Sequence, residues 1–181
     1  LVASASGLTS SAASSSFTIS SPGIVQGVGI NDMVQLGTKI YYLDGSNLKS
    51  VPSTGGTATT ITTASSPKRI TTDGTNIFWI EGTSGTGLLR KYTVATAAVT
   101  TLASGLNETY NYANTLATDG TNVYFHARNG SGTGTAIRRI SVNGGSVTDL
   151  FSTPSTGYFL PFTVSGGFIY FSDQYNSAIK R

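Results

Sequence analysis

The chain has 181 residues and a net charge of only +3, from 11 Lys and Arg against 8 Asp and Glu. So thin an excess, with no Lys/Arg run, excludes an electrostatic nucleic-acid binder. The lack of cysteine excludes disulfide scaffolds, thiolate zinc sites and cysteine nucleophiles. A lone histidine, His126, excludes a multi-histidine metal site.

From the N-terminus, residues 1–28 form a Ser/Ala-rich segment. It starts at Leu1 rather than Met, as a processed or partial chain does, and it shows neither the basic start nor the apolar stretch of a signal peptide. Its first 16 residues read as a linker. Ser16-Phe17-Thr18-Ile19-Ser20 alternates as a strand does and predicts a blade-completing strand near 16–20. Hydrophobic residues (38%) and aromatics (10%) are too many for a disordered chain. No apolar run approaches the ~20 residues that span a bilayer as a helix, so no transmembrane segment is expected.

Beyond the segment the chain repeats. Ile40-Tyr41-Tyr42-Leu43-Asp44, Ile77-Phe78-Trp79-Ile80-Glu81, Val123-Tyr124-Phe125-His126-Ala127 and Ile169-Tyr170-Phe171-Ser172-Asp173 share one pattern. It is an aliphatic residue, two aromatics, a variable residue and, in three copies, an acid. A second motif follows each: Leu48-Lys49, Leu89-Arg90-Lys91, Ile137-Arg138-Arg139 and Ile179-Lys180-Arg181. Gly turns and a Thr-rich strand come after it, as in Asn143-Gly144-Gly145 and Val147-Thr148-Asp149-Leu150. A Gly turn also precedes the aromatic motif, as in Thr72-Asp73-Gly74-Thr75-Asn76 and Thr118-Asp119-Gly120-Thr121-Asn122.

Copies start 37, 46 and 46 residues apart. β-Branched and aromatic residues fill the strands, and no segment has a helical apolar period. Repeats of four short strands at such spacing predict an all-β chain, a β-propeller of four-stranded antiparallel blades. The blades fall at about 29–64, 67–104, 114–152 and, partial, 159–181. A β-sandwich competes, but its strands need not be self-similar.

The Ile-aromatic-aromatic-x-acid motif with its Ile-x-basic and Gly-turn companions resembles the YWTD-type propellers of low-density-lipoprotein receptors. It is closer still to exported, Thr/Gly-rich bacterial propeller repeats. Asp73 to Glu81 with Thr100 to Ser104, and Asp119 to Phe125 with Ile137 to Gly145, carry the likeness. The resemblance implies a ring of about six blades, or ~260 residues at this repeat length. Three complete blades and one partial blade leave three resolutions: a longer chain, which is preferred, assembly with copies or partners that closes a ring, or completion of the fourth blade by the N-terminal segment.

Function is less legible. His126 sits at a variable strand position and reads as a packing or rim residue. No residues are spaced as a calcium loop or a nucleophile-base pair, so neither a catalytic site, a metal nor a cofactor is expected. Asp44, Glu81 and Asp173 are placed to pair across the hairpin with Lys49, Arg90 and Lys180 or Arg181 as surface ion pairs. Together Lys49, Arg90, Lys91, Arg138, Arg139, Lys180 and Arg181 predict a basic arc, either a docking surface for an acidic partner or a solvated strand neutralised by its acids, the latter preferred. Tyr110, Asn111 and Tyr112, with Tyr158 and Phe159, lie in long inter-blade loops. They read as a protein- or glycan-binding face or as blade caps. Asn107 and Asn129 fit the N-glycosylation pattern, although plain loop residues account for them.

These features favour a non-enzymatic binding module. A structural subunit of a larger assembly comes second and a propeller lyase or hydrolase third. Poverty in Lys and Glu with abundant Thr, Ser, Gly and Asn favours an extracellular or cell-envelope site.

Overall fold

The computed structural model describes residues 23–25, 29–83, 85–107, 115–128, 131, 133–154, 161–174 and 176–181. The strand predicted near 16–20 lies outside them. The described residues form β-strands only, in three four-stranded sheets and one three-stranded sheet. Blade 1 holds β1 (Ile30–Leu36), β2 (Lys39–Asp44), β3 (Asn47–Pro52) and β4 (Thr59–Thr63). Blade 2 holds β5 (Arg69–Thr72), β6 (Asn76–Glu81), β7 (Gly87–Thr93) and β8 (Ala98–Leu106). Blade 3 holds β9 (Leu116–Thr118), β10 (Asn122–Arg128), β11 (Thr135–Ser141) and β12 (Thr148–Ser152). Blade 4 holds β13 (Phe162–Ser165), β14 (Phe168–Asp173) and β15 (Ala178–Lys180). Each strand pairs antiparallel with its sequence neighbour. The predicted blade architecture is the one observed.

The first strands lie side by side, β1 against β5, β5 against β9 and β9 against β13. Blades 1 and 2 are also tied there by backbone and side-chain bonds. Ile70 N donates to Asp32 Oδ2 at 3.1 Å and Asn31 Nδ2 to the Pro67 carbonyl at 2.6 Å.

Each blade has a leading face, toward the next blade in sequence, and a trailing face, toward the one before. Strand alternation sorts the aromatic pair between them. Tyr41 and Leu43 of blade 1 lead, packing on Ile77 and Trp79, which trail in blade 2. Phe78 and Ile80 lead in blade 2 against Val123 and Phe125 of blade 3. Tyr124 and Ile137 lead in blade 3 against Phe171 and Ile169 of blade 4. The second strands of blades 2 and 3 are therefore packed on two sides, which is why they are largely apolar rather than alternating.

The turns are built by side-chain caps. Asp73 Oδ1 accepts from the Thr75 and Asn76 amides at 2.8 and 2.7 Å. Asp119 repeats this on Thr121 and Asn122 at 2.8 and 2.7 Å. In each, Gly takes a left-handed conformation, φ 90° at Gly74 and 85° at Gly120, which costs a Cβ-bearing residue energy.

A β-bulge recurs at one point in every complete blade. The register between third and fourth strands slips between Leu48 and Lys49, Leu89 and Arg90, and Ile137 and Arg138. The unpaired residues opposite are Ile61, Leu102 and Leu150. Ile61 and Leu102 pack into the gap before the next blade, the re-aiming of a side chain that a bulge provides.

Candidate functional site

The seven predicted cations divide between two faces. Lys49, Arg90, Arg138 and Lys180 lie opposite Tyr42, Trp79, Phe125 and Phe171 in the ladders, on the trailing side. All four are neutralised. Lys49 Nζ is 2.6 Å from Asp44, Arg90 3.4 Å from Glu81 and Lys180 2.6 Å from Asp173. Blade 3 has Ala127 where the others have the acid, and its Arg138 turns instead to Asp149 on β12 at 2.7 Å.

These are not the surface pairs predicted from sequence. Glu81 is 4% and Asp173 0% exposed. Their remaining acceptor capacity is used. Trp79 Nε1 donates to Glu81 Oε2 at 2.7 Å, and Asn176 Nδ2 to Asp173 Oδ2 at 2.6 Å. Arg90 also stacks on Trp79, 5.8 Å from the ring centroid.

Burial alone would push the carboxyl of Asp44 up. The bonds from Lys49, Asn47 and the Ser46 amide outweigh it and hold the group below its ordinary range. Lys180 and Asn176 do the same for Asp173. In Asp73 and Asp119 burial is again overcome, by the turn amides and side chains. A carboxyl lowered on folding stabilises the fold above its unfolded pKa of about 3.9 and ceases to do so as pH falls through its folded value. Stability to denaturant is thus expected to hold from neutral pH to about pH 4 and to fall below it. Asp173→Asn should flatten part of that fall. Stability that rises between pH 4 and pH 2.5 would contradict the assignment.

Lys91, Arg139 and Arg181 occupy the leading side. Lys91 Nζ reaches the next blade, donating to the Val142 carbonyl at 3.0 Å. Arg139 and Arg181 border a groove of ≈ 430 Å³ between the outer parts of blades 3 and 4, with Lys180, Leu150, Phe151 and Phe168. Lys180 Nζ lies 4.9 Å from the Phe151 ring centroid and Arg181 Cζ 4.4 Å from that of Phe168. The cause of the groove is visible in the earlier blades. Val94 and Val99 of blade 2 and Val142 and Val147 of blade 3, flanking the third-to-fourth-strand turn, fill the corresponding space. Among the described residues blade 4 has no fourth strand, and Leu150 stays 40% exposed.

The leading face of blade 4 is open as well. Leu48, Leu89 and Ile137 are 0%, 0% and 1% exposed, whereas Ile179 at the same repeat position is 85% exposed. Tyr170, whose equivalents Tyr41, Phe78 and Tyr124 are inter-blade core and which the repeat places among them, is 39% exposed, and Phe168 46%. A residue's place in the motif settles which face it takes; its burial needs a blade on that side. The exposure of Tyr170 is what sequence reasoning missed.

His126 is buried in β10, on the same side of the strand as Tyr124 and opposite Ile137 in the ladder. Tyr110, Asn111, Tyr112, Tyr158 and Phe159 lie outside the described residues, as does Asn129. Among the described residues no three His, Cys, Asp or Glu side chains group as metal ligands, and no helix is long and apolar enough to cross a membrane.

Solved structures share this architecture. A chain in the crystal structure of a nidogen/laminin complex matches with a TM-score of 0.61 at 19% identity, over 81% of this chain and 57% of that one. The computationally designed Ika4 protein matches at 0.60 and 12% identity, over 86% and 91%. TolB from Acinetobacter baumannii matches at 0.54 and 15% identity, over 86% and 44%. The chain has a β-propeller-like fold. It spans less than two thirds of the nidogen/laminin match and of TolB. No protein-family profile matches it. No curated protein matches it either. The comparisons therefore reach the fold and not the narrower YWTD-type family.

Proposed function

We propose that the chain is a non-enzymatic interaction module of the extracellular space or cell envelope, built from YWTD-like blades, which engages a protein or glycan partner. The observation that carries this reading is the apolar leading face of blade 4, where Phe168, Tyr170 and Ile179 stand exposed beside Arg181. Aromatic and Arg side chains clustered on an exposed apolar face are typical of binding surfaces. The charged side chains of the described blades support it too, since most are engaged in holding turns and hairpins: Asp73 and Asp119 in turns, Asp44, Glu81, Asp149 and Asp173 in ion pairs. That a matched fold occurs in a complex of two proteins is in keeping with this role. Composition supports the location, with 52 of 181 residues Ser or Thr and few Lys and Glu.

A photo-crosslinking side chain at position 170, in cells that make the protein, tests the reading. A discrete protein or glycan adduct that weakens with Ile179→Glu is expected. Turnover of a glycan or peptide substrate, abolished by His126→Ala in protein that keeps its β-sheet spectrum, would overturn it in favour of a lyase or hydrolase.

A further inference from the structure

Five Asp-Gly or Asn-Gly pairs occur in the chain: Asp44-Gly45, Asp73-Gly74, Asp119-Gly120, Asn129-Gly130 and Asn143-Gly144. Such a pair can react with itself. The glycine amide nitrogen attacks the side-chain carbonyl carbon and closes a succinimide ring, and glycine has no Cβ to hinder the approach. The side chain has to be neutral and free to turn. Asp44 fails on both counts, with Lys49 Nζ at 2.6 Å and Asn47 Nδ2 at 2.9 Å. Asp73 and Asp119 fail likewise, since their carboxylates are fastened to the amides of their own turns. All three carboxyls are held below their ordinary range, so they stay ionised, and a carboxylate resists attack. Asn129 lies outside the described residues. Asn143 differs from the three acids. It is neutral and exposed in the turn between β11 and β12, and its side-chain amide bonds to none of the described residues. Two bonds brace that turn. Gly144 N donates to the Ser141 carbonyl at 2.9 Å, and Lys91 Nζ of blade 2 donates to the Val142 carbonyl at 3.0 Å. The first must open before the nitrogen attacks, and an exposed turn opens locally without unfolding the blade.

We propose that Asn143 is a site of spontaneous deamidation, and that Lys91 of the neighbouring blade is the brake that sets its rate. The bond from Gly144 N to Asn143 Cγ forms, the Cγ–Nδ2 bond breaks, and the side-chain nitrogen leaves as ammonia with the Gly144 amide proton. Water then opens the ring at either carbonyl and yields aspartate or isoaspartate, with nothing oxidised or reduced. Either product places a carboxylate in the turn that Lys91 contacts and lowers the net charge of +3 by one. Isoaspartate also lengthens the main chain by one carbon between Val142 and Val147, which pack against the core that blades 2 and 3 share. The outer part of that contact therefore changes with the age of the molecule. The site is separate from the exposed face of blade 4 and does not depend on the binding reading.

Residue-resolved peptide mapping of the folded 181-residue chain, aged in mildly alkaline buffer, tests the proposal. The fragment with Asn143 should gain the mass of acid for amide and respond to isoaspartate detection, while Asp44, Asp73 and Asp119 stay aspartyl. Asn143→Gln should stay unchanged, because its longer side chain closes a ring far less readily. Lys91→Met keeps the side-chain length without the donor, and should speed conversion of Asn143 about two- to tenfold, the scale of one lost hydrogen bond. Circular dichroism checks that each variant remains folded through the incubation. Asn143 intact in the folded chain, whether or not a urea-unfolded control converts, overturns the proposal, since the turn then holds the Gly144 nitrogen out of reach. Equal rates in wild type and Lys91→Met overturn the role given to Lys91.

Discussion

Trp79→Ala is expected to destabilise the chain by about 3–5 kcal/mol, the usual range for emptying a buried indole site. The ring is wholly buried between blades 1 and 2, among Leu43, Leu48 and Ile77. It also carries a polar bond. Its Nε1 donates to Glu81 Oε2 at 2.7 Å, and without it the buried carboxylate keeps Arg90, at 3.4 Å, as its side-chain partner. Trp79→Phe separates the two effects, because it keeps most of the packing and loses the bond. That variant should cost about 1–3 kcal/mol, the penalty of an under-satisfied buried acceptor. Urea unfolding followed by circular dichroism measures both, since Trp79 is the chain's sole tryptophan and fluorescence goes with it. In a stack of repeats each blade is stabilised by its neighbours, so loss at this interface should also uncouple blade 1 from the rest. A cost below about 1 kcal/mol for Trp79→Ala would contradict the burial described.

The second large effect is a contrast across the repeat. Alanine at Leu48, Leu89 or Ile137 should each cost about 2–5 kcal/mol, while alanine at Ile179 should stay within about 0.5 kcal/mol. The four residues hold one motif position and one strand, and they differ in having a following blade: exposure is 0%, 0% and 1% against 85%. Thermal and urea unfolding at concentrations where the chain is monomeric read the contrast directly. Equal losses at all four positions would mean that the face of blade 4 is covered within the single chain.

Much of this fold is legible in the chain because one pattern recurs at a fixed strand period. The aliphatic-aromatic-aromatic run predicts each second strand, and the Asp-Gly turns predict the hairpins, since both signals are local. The hairpin pairs of Asp44 with Lys49 and Glu81 with Arg90 follow from register alone. Their burial does not, because it is set by the folded chain around the acids. The same limit explains the basic residues. Adjacent cations such as Arg138 and Arg139 look like one arc in sequence, yet a strand sends neighbours to opposite faces. One goes to Asp149 and the other borders the groove. The recurrent bulge had no local signal, for Ile61, Leu102 and Leu150 sit in Thr-rich strands that read as regular. The exposure of Tyr170 and Ile179 is not legible in their motif, because it is set by the absence of a described neighbour and not by any residue near them.

Thiol reactivity tests the central claim, a blade stack whose last leading face lies open, most directly. The chain has no cysteine, so a single introduced one reports without background. Ile179→Cys, in protein dilute enough to be monomeric, should react with a maleimide at the rate of a free thiol, and Ile137→Cys should be protected until the chain unfolds. Protection at both positions, at every dilution, would contradict the account.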